Sequence, residues 1–402
     1  MTTVSSFAGH VNSANKLLEI NNLNVEYYAA NGTVHALTDV SITLERGQIL
    51  GVAGESGSGK STLAYAITRL LRPPAAITGG QILYYPQASS RLLDHTAAQK
   101  NSRAKNTSSP EGILADSSPQ AMDILQLTPT QLRAFRWSEL SIVFQSAMNA
   151  LNPVLDIGTQ IIDVLRTHRP TLSKDARRTR AIELLRLVGI APDRIHSYPH
   201  ELSGGMRQRA IIAIALALSP ELIILDEPTT ALDVVVQREI LAKIIGLRNE
   251  FGFSVIFITH DLSLLLEMAD KVAIMYAGRV VEMATCSELH HQPRHPYSYG
   301  LLNSFPTLHG PRRRMTGIPG FPPDLRAVPS GCAFHPRCPC AFAACDVHLP
   351  RLLPSTPETP EQVVACHLYD PRFNTEELPS NADFAAKYEA NYEAIQGRRN
   401  VR

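Results

Sequence analysis

Short runs of apolar, often β-branched residues alternate with helical patterns along much of this chain. The runs typical of interior strands are Ile49–Ala53 and residues 222–225, 255–259 and 272–276. Alternation of this kind indicates an α/β fold with a largely parallel sheet. Ahead of the first run, residues 17–27 and 40–44 have strand character on either side of an Asn31-Gly32 turn, which predicts a small antiparallel sheet at the start.

Helical periodicity dominates between residues 157 and 218. Within this stretch, residues 175–188 gather four apolar side chains on one face: Ala181, Leu184, Leu185 and Val188. An apolar stripe opposite a charged face is typical of a surface helix. The pattern predicts a separate helical subdomain at about residues 146–220.

Two regions depart from the α/β pattern. Residues 87–120 are rich in Ser, Ala, Asn and charge and have little apolar periodicity, which predicts a disordered surface insertion. In residues 284–370 the proline content is high and cysteines cluster, which predicts a C-terminal extension that has few apolar residues with which to stabilise itself. Residues 371–402 are polar, and the last part of them is either a polar helix or a frayed tail.

Composition and charge exclude several classes of protein. The chain has 402 residues, of which 44% are hydrophobic, so it can bury a sizeable core. Its 38 Lys and Arg residues against 37 Asp and Glu give a net charge of +1, so there is no basic footprint for nucleic acid. No run reaches the length of a membrane-spanning helix, and residues 1–15 lack a signal-peptide pattern. We therefore expect a protein of the reducing cytosol, whose six cysteines are not a disulfide framework.

A glycine-rich loop follows the strand-like run Ile49–Ala53 and precedes a helical pattern. Its residues are Gly54, Glu55, Ser56, Gly57, Ser58, Gly59, Lys60, Ser61 and Thr62. This is a P-loop in the strand–loop–helix setting that the motif requires. Backbone N–H groups would surround the β- and γ-phosphates, while Lys60 supplies a point charge and Ser61 a ligand for Mg²⁺.

A second apolar run, residues 222–225, ends in Asp226 and Glu227. After a P-loop, the first carboxylate is suited to holding Mg²⁺, directly or through water. The second could accept a proton from the attacking water. The two motifs together predict nucleotide hydrolysis.

Four further elements make the sequence resemble the ATPases of ABC transporters. Residues 202–208, Leu-Ser-Gly-Gly-Met-Arg-Gln, are similar to the ABC signature. Gln145, Asp233 and His260 occur in the family's order around it. The resemblance covers about residues 16–283 and implies a P-loop NTPase fold of the ABC ATPase type, with ATP and Mg²⁺ bound.

The resemblance also implies roles for individual residues. Tyr27 would stack on adenine, although Tyr28 lies next to it. Gln145 would contact Mg²⁺ and the attacking water, and His260 the γ-phosphate. Because two such ATPases pair head to tail, the signature turn would contact ATP held by the partner's P-loop, with Asp233 nearby; the residues of that turn are Ser203, Gly204 and Gly205.

Finer motifs resemble the ATPases of oligopeptide, dipeptide and nickel importers. They are residues 142–153, residues 227–234, the sequence His295-Pro296-Tyr297, and residues 331–339, Gly-Cys-Ala-Phe-His-Pro-Arg-Cys-Pro. This implies two permease subunits, a second ATP-binding subunit and, indirectly, an external solute-binding protein as partners. The chain would lie at the cytoplasmic face of the inner membrane. Peptides, oligosaccharides and nickel chelates all stay open as cargo.

Two functions of other classes are alternatives to a transporter ATPase. A soluble ABC ATPase of DNA repair or translation would carry a long coiled-coil insertion or two ATPase domains, and neither is in the sequence. A non-catalytic pairing subunit would bind nucleotide only to support an active partner. The presence of both Glu227 and His260 argues against that alternative.

Four cysteines of the extension are candidate metal ligands: Cys332, Cys338, Cys345 and Cys366. Their intervals are wider than the tight pairs of most structural zinc sites, whereas iron–sulfur clusters accept varied spacing. Extensions of the resembling importer group are associated with a 4Fe-4S cluster, and Zn²⁺ or free thiols are the alternatives. Cys340 could replace Cys338, and the isolated Cys286 is interpreted as a small apolar residue.

Overall fold

The computed structural model describes residues 15–87, 121–145, 150–229, 232–304, 317–374 and 377–400. The predicted insertion at 87–120 therefore lies outside the described residues, apart from Gln87. The strands are β1 (Lys16–Ala29), β2 (Gly32–Glu45), β3 (Ile49–Ala53), β4 (Ala75–Tyr84), β5 (Met122–Asp123), β6 (Leu140–Val143), β7 (Leu222–Asp226), β8 (Ser254–Ile258), β9 (Lys271–Tyr276), β10 (Arg279–Thr285), β11 (Leu353–Thr356) and β12 (Thr359–Val364). The helices are α1 (Lys60–Ile67), α2 (Pro129–Ser138), α3 (Ile157–His168), α4 (Lys174–Leu187), α5 (Gly204–Ala215), α6 (Val234–Phe251), α7 (Leu262–Met268), α8 (Cys286–His291), α9 (Pro296–Leu302), α10 (Ala344–Val347) and α11 (Asn381–Asn400).

The N-terminal sheet is antiparallel, in the order β2-β1-β4-β5. Strands β1 and β2 form a hairpin in which Ala29 pairs with Gly32, so the turn predicted at Asn31-Gly32 is confirmed. Alternate residues of β1, among them Leu23 and Val25, are fully buried against the second sheet and α1. This alternation is the period expected for a sheet with one covered face.

The second sheet has the order β11-β12-β10-β9-β3-β8-β7-β6. Its strands β9, β3, β8, β7 and β6 run parallel to one another. Every residue of β3, β7 and β8 is buried, which is why these strands are continuous apolar runs in the sequence. The parallel sheet is confirmed, and it brings the carboxyl ends of β3, β7 and β8 to one edge, where ligands bind in open α/β folds.

The helical region consists of α3, α4 and α5. Each helix begins at a capping side chain whose oxygen accepts a backbone N–H bond: Asp156, Ser173 and Ser203. The apolar stripe of α4 is buried as the sequence predicts, with Ala181, Leu184 and Leu185 fully covered.

The C-terminal extension is joined to the core, and the expectation that it lacks apolar support is wrong. Strand β12 pairs with β10, so the main sheet continues directly into the extension. Phe334 is buried against the rings of Tyr276 and Tyr297, each 5.3 Å away between centroids. A few large side chains and a shared sheet hold the extension, which a low apolar content does not reveal.

The end of the chain forms α11, the helical one of the two alternatives that the sequence left open. Phe384 and Tyr388 on this helix are buried. Their rings lie 5.6 Å from that of Tyr299, and the Tyr388 hydroxyl donates a hydrogen bond to the Pro296 carbonyl oxygen at 2.9 Å. The helix therefore packs against α9.

Candidate active site

The loop between β3 and α1 follows a path that glycine alone accommodates at two points. Gly59 has a φ of 100°, and a Cβ there would lie 2.5 Å from the Ala36 carbonyl oxygen. Gly54 has a φ of 150°, and its Cβ would lie 2.2 Å from the Met275 carbonyl oxygen. Without these side chains the loop can turn tightly into α1, whose first N–H groups have no partner within the helix. The tip of the loop, Ser56 and Gly57, is exposed.

Lys60 points back into the loop. Its Nζ donates hydrogen bonds to the carbonyl oxygens of Gly54 at 2.7 Å and Glu55 at 2.9 Å. Burial lowers the pKa of Lys60, and the carboxylates of Glu227, Asp226 and Glu55 oppose that shift. The positive charge is thus held inside the P-loop, where it can bind phosphate oxygens.

Asp226 and Ser61 form the predicted magnesium position. The Ser61 hydroxyl donates to Oδ1 of Asp226 at 3.0 Å. Asp226 is fully buried, and its Oδ2 has no hydrogen-bond partner among the residues that the structure describes. Burial raises the pKa of this carboxyl group. A buried carboxylate oxygen without a donor, next to a hydroxyl, fits the oxygen ligands that Mg²⁺ prefers.

Glu227 lies between the two other predicted catalytic residues. Gln145 Nε2 donates to its Oε2 at 2.9 Å, and His260 Nδ1 lies 3.4 Å from its Oε1. The backbone of Glu227 has a φ of 47°, in the left-handed region, and its N–H bonds to the Ile258 carbonyl oxygen at 2.9 Å. Such strain is typical of functional sites. The ends of β6, β7 and β8 therefore bring Gln145, Glu227 and His260 together. Gln145 contacts the Glu227 carboxylate, whereas the resemblance implies contacts with Mg²⁺ and the attacking water.

Tyr27 lies beside the P-loop. Its hydroxyl is 3.4 Å from the Thr62 hydroxyl, and its ring is partly buried. The neighbouring Tyr28 is 53% exposed, and its hydroxyl hydrogen-bonds to Glu26. Because successive side chains of a strand point to opposite faces, Tyr27 is the better placed of the two to contact a nucleotide base.

The signature turn has a different environment. Ser203 Oγ accepts a hydrogen bond from the Met206 N–H at 3.3 Å and so caps α5, which Gly204 and Gly205 open. Asp233 caps α6 in the same way, accepting from Val235 and Val236 N–H at 3.1 and 3.0 Å. Among the described residues, no hydrogen bond links this turn to the P-loop of the same chain. Its predicted contact with a partner's ATP stays a prediction.

Comparison with known sequences gives the family. A profile described as ABC transporter matches residues 37–230, and one described as oligopeptide/dipeptide transporter, C-terminal region, matches residues 281–345. The oligopeptide transport ATP-binding protein OppD of Bacillus subtilis is 41% identical over 79% of this chain and 80% of its own length. The dipeptide transport ATP-binding protein DppD of the same organism is 39% identical over 89% and 96%. The chain belongs to this family of ABC transporter ATP-binding proteins.

A solved structure of this kind agrees with the assignment. A dimeric ATP-binding cassette in a post-hydrolysis state, bound to ADP and Pi, superposes with a TM-score of 0.53 and 25% identity, covering 67% of this chain and 99% of that one. The present chain is thus an ABC ATPase that works with membrane permease subunits. Among its described helices, none has the length and apolar character needed to cross a membrane.

Two contacts of this ABC ATPase were not foreseen from its sequence. Arg337 in the extension forms a two-pronged salt bridge with Glu55 of the P-loop, with Nη1–Oε2 at 2.6 Å and Nη2–Oε1 at 3.0 Å. The Tyr297 hydroxyl accepts a hydrogen bond from the Glu55 N–H at 2.9 Å. Tyr297 and Arg337 belong to motifs that resemble those of the importer group. Arg337 and Glu55 are 282 residues apart, however, and no sequence signal indicates their pairing.

The cysteines of the extension lie near one another without forming a ligand set. The Cys332 N–H donates to the Cys345 carbonyl oxygen at 2.7 Å, and Cys338 packs against the buried Cys340. Burial, with some repulsion from the other thiols, raises the pKa of Cys366 well above its usual value. In the part of the chain that the structure describes, no three or more Cys, His, Asp or Glu side chains are arranged to hold a metal ion. The predicted 4Fe-4S or zinc centre is therefore not supported here.

Proposed function

We propose that this chain powers the uptake of peptides through an ABC importer at the cytoplasmic face of the inner membrane. It does so by binding and hydrolysing ATP in a head-to-tail pair with a second ATP-binding subunit. The observation that carries the proposal is the convergence of Gln145, Glu227 and His260 beside the Ser61–Asp226 pair. The cargo class rests on the names of the oligopeptide and dipeptide relatives.

In this mechanism each residue acts at a stated atom. Lys60 Nζ binds phosphate oxygens, and Glu227 accepts the proton of the attacking water. The Gln145 amide donates a hydrogen bond to Oε2 of that carboxylate at 2.9 Å. His260 binds the γ-phosphate in this proposal. Mg²⁺, held through Ser61 and Asp226, would supply the charge that stabilises the phosphates.

The second ATP-binding subunit would cover the surface around Asp233. Val234 and Val235 follow Asp233 and are 67% and 69% exposed. Exposed valines next to a glycine-rich helix start are suited to an interface that buries them in the pair. Ser203, Gly204 and Gly205 would then bind the phosphates of the partner's ATP through free N–H groups and the positive end of α5.

The permease subunits would dock in a groove of about 580 Å³ between the end of β6 and the helical region. Its apolar lining includes Phe144, Leu151, Leu155 and Ile211. Phe144 lines the groove and directly precedes Gln145, whose side chain hydrogen-bonds to the Glu227 carboxylate. A permease helix in this groove would therefore contact the neighbour of a residue that holds the catalytic carboxylate. Ala150 and Asn152 also line the groove, and residues 146–149 lie outside the described part of the chain.

Transport by the assembled importer tests the proposal. The chain would be co-purified with its permease and second ATPase subunits, placed in vesicles and supplied with ATP. Uptake of labelled peptides, with ATP hydrolysis that rises when peptide is present, would support the peptide importer. Uptake of oligosaccharides or nickel chelates instead would move the cargo to the alternative, and hydrolysis by the partner alone would favour the non-catalytic pairing subunit.

We also propose that the extension binds a metal centre through Cys332, Cys338, Cys345 and Cys366, with an iron–sulfur cluster rather than Zn²⁺ as the occupant. The support is that the segments carrying these thiols lie together: the Cys332 N–H donates to the Cys345 carbonyl oxygen at 2.7 Å, and Cys338 packs with Cys340 and with Leu368, two residues beyond Cys366. Metal binding would add to the folding free energy of the extension. Anaerobic purification followed by iron, sulfide and zinc analysis tests this; one zinc per chain favours the alternative, and a metal-free preparation removes both.

A further inference from the structure

The C-terminal part of the chain contacts both the side chain and the backbone of Glu55 in the P-loop. Its carboxylate accepts both prongs of the Arg337 guanidinium, and its N–H donates to the Tyr297 hydroxyl. Planar two-pronged pairing of this kind fixes direction as well as distance. The position of Glu55 is thus set by residues that are themselves outside the ATPase core.

The backbone of Glu55 in turn holds the phosphate-binding lysine. Its carbonyl oxygen accepts a hydrogen bond from Lys60 Nζ at 2.9 Å and another from the Ser58 N–H at 3.2 Å. A displacement of Glu55 would therefore displace the ammonium group and the loop that surrounds it. This gives a short physical route from Arg337 to the phosphates.

Arg337 is firmly anchored on its own side. Its Nε donates to the Pro319 carbonyl oxygen at 2.7 Å, its Nη1 also reaches the Tyr276 hydroxyl at 3.2 Å, and its side chain is only 6% exposed. The rings of Tyr276 and Tyr297 lie 4.7 Å apart and pack against Phe334. A buried arginine with this many fixed partners is a rigid support for the loop.

We propose that Arg337 and Tyr297 are positioning residues of the ATP site, so that ATP affinity in this chain depends on its C-terminal extension. The inference rests on the proposed ATP-binding role of the P-loop. Neither residue touches the reacting atoms; both act through Glu55 and Lys60. The extension is in this sense part of the nucleotide site.

The deciding experiment compares Arg337→Ala with Arg326→Ala in the full chain, paired with its partner subunit. Arg326 is a matched control, because it forms a two-pronged pair with Asp324 in the same extension but is exposed. For Arg337→Ala we expect the KM for ATP to rise about fivefold or more, within the usual range of coupling energies, while kcat changes less than about twofold. Arg326→Ala leaves both values unchanged.

Two further variants keep the test decisive if Arg337→Ala folds poorly. Glu55→Gln weakens the same pair from the P-loop side and leaves the extension intact, and Tyr297→Phe removes only the hydroxyl acceptor. Each should raise the KM for ATP, and Glu55→Gln combined with Arg337→Ala should raise it no further than Arg337→Ala alone. Additive effects, or an unchanged KM in Glu55→Gln and Tyr297→Phe, would overturn the proposal.

Direct binding of a fluorescent ATP analogue separates this inference from the proposed function. If the wild-type chain binds the analogue without hydrolysing it, the proposed hydrolysis fails while the affinities of the variants still test the positioning role. Weaker binding by Arg337→Ala supports that role. Equal affinities for Arg337→Ala, Arg326→Ala and the wild-type chain contradict it.

Discussion

The P-loop and the signature turn are both glycine-rich turns that open a helix, yet they are supported differently. Long-range contacts hold the P-loop: Tyr297 and Arg337 fix Glu55, and the Gly278 N–H donates to the Ser58 carbonyl oxygen at 3.1 Å. The signature turn is completed locally by the Ser203 cap. The P-loop is thus held by contacts within one chain. The signature turn needs no such contacts for its conformation, and we propose that it binds a partner's nucleotide.

The largest effect should come from a change that leaves both turns intact. In Glu227→Gln the Gln145 contact can persist, but the proton acceptor is lost. We expect ATP binding to be retained and hydrolysis to fall by about 10²–10⁴-fold, the usual scale for a positioned proton acceptor. Single-turnover hydrolysis and nucleotide binding measure this. Glu267→Gln, in an exposed pair with Arg238, is the control, and near-normal turnover of the Glu227 variant would contradict the assignment.

A methyl group in the P-loop should have the next largest effect. In Gly59→Ala the residue keeps a φ of 100°, and its new methyl group lies 2.5 Å from the Ala36 carbonyl oxygen. That oxygen belongs to the backbone, so it cannot move away as a flexible side chain would. Strain of about 1–3 kcal/mol would lower ATP affinity by about 5- to 150-fold. Gly246→Ala in α6 is the control, because nothing lies within 4 Å of its Cβ position. Equal ATP affinity in the two variants, measured by calorimetry, would show that the loop relaxes.

The signature turn is tested by Ser203→Arg against Ser173→Arg. Each serine caps a helix, α5 or α4, so both variants should lose about 1 kcal/mol of stability from the missing cap. Only Ser203→Arg should block ATP-driven pairing with the second subunit, while its own ATP affinity is unchanged. Size-exclusion chromatography with ATP measures pairing. Normal pairing of the Ser203 variant would contradict the proposed contact of the signature turn with the partner's ATP.

The smallest effect is expected from deleting residues 88–119 and replacing them with a short Gly-Ser linker. The residues that flank this segment are already close, because Tyr84 pairs with Met122 and Leu83 with Asp123. We expect ATP hydrolysis to stay within about twofold of the wild-type rate, as exposed insertions usually allow. A large loss of steady-state ATPase activity would show instead that the segment contacts the site or a partner.

Local signals were sufficient to predict the strands, the P-loop and the two carboxylates at the end of β7, whereas His260 after β8 came from the resemblance to ABC ATPases. Ile49–Ala53 is uniformly apolar because both faces of the strand are covered, and Asp226 follows from a carboxylate at the end of such a strand. The order of these motifs also gave the family. Each of these features is encoded within a few neighbouring residues.

Contacts between distant segments could not be predicted in this way. The pairing of Arg337 with Glu55 depends on how the extension folds back over the P-loop, and no periodicity encodes that. The burial of Phe334 against two tyrosines likewise depends on rings from β9 and α9. For the cysteines, their clustering and the resemblance to the importer group suggested ligands, but bringing sulfur atoms to coordinating distance requires a backbone arrangement that neither specifies.

The pairing of β12 with β10 also bears on aggregation. Glu282 pairs with Val364 and Met283 with Val363, so β10 is an interior strand in the folded chain. Removal of β12 would leave unpaired those backbone groups of residues 281–283 that face it, in the middle of the largely apolar strand β10. Exposed sheet edges of this kind recruit strands from other molecules. Proteolysis or truncation that removes β12 should therefore promote aggregation, because β12 covers the edge of β10.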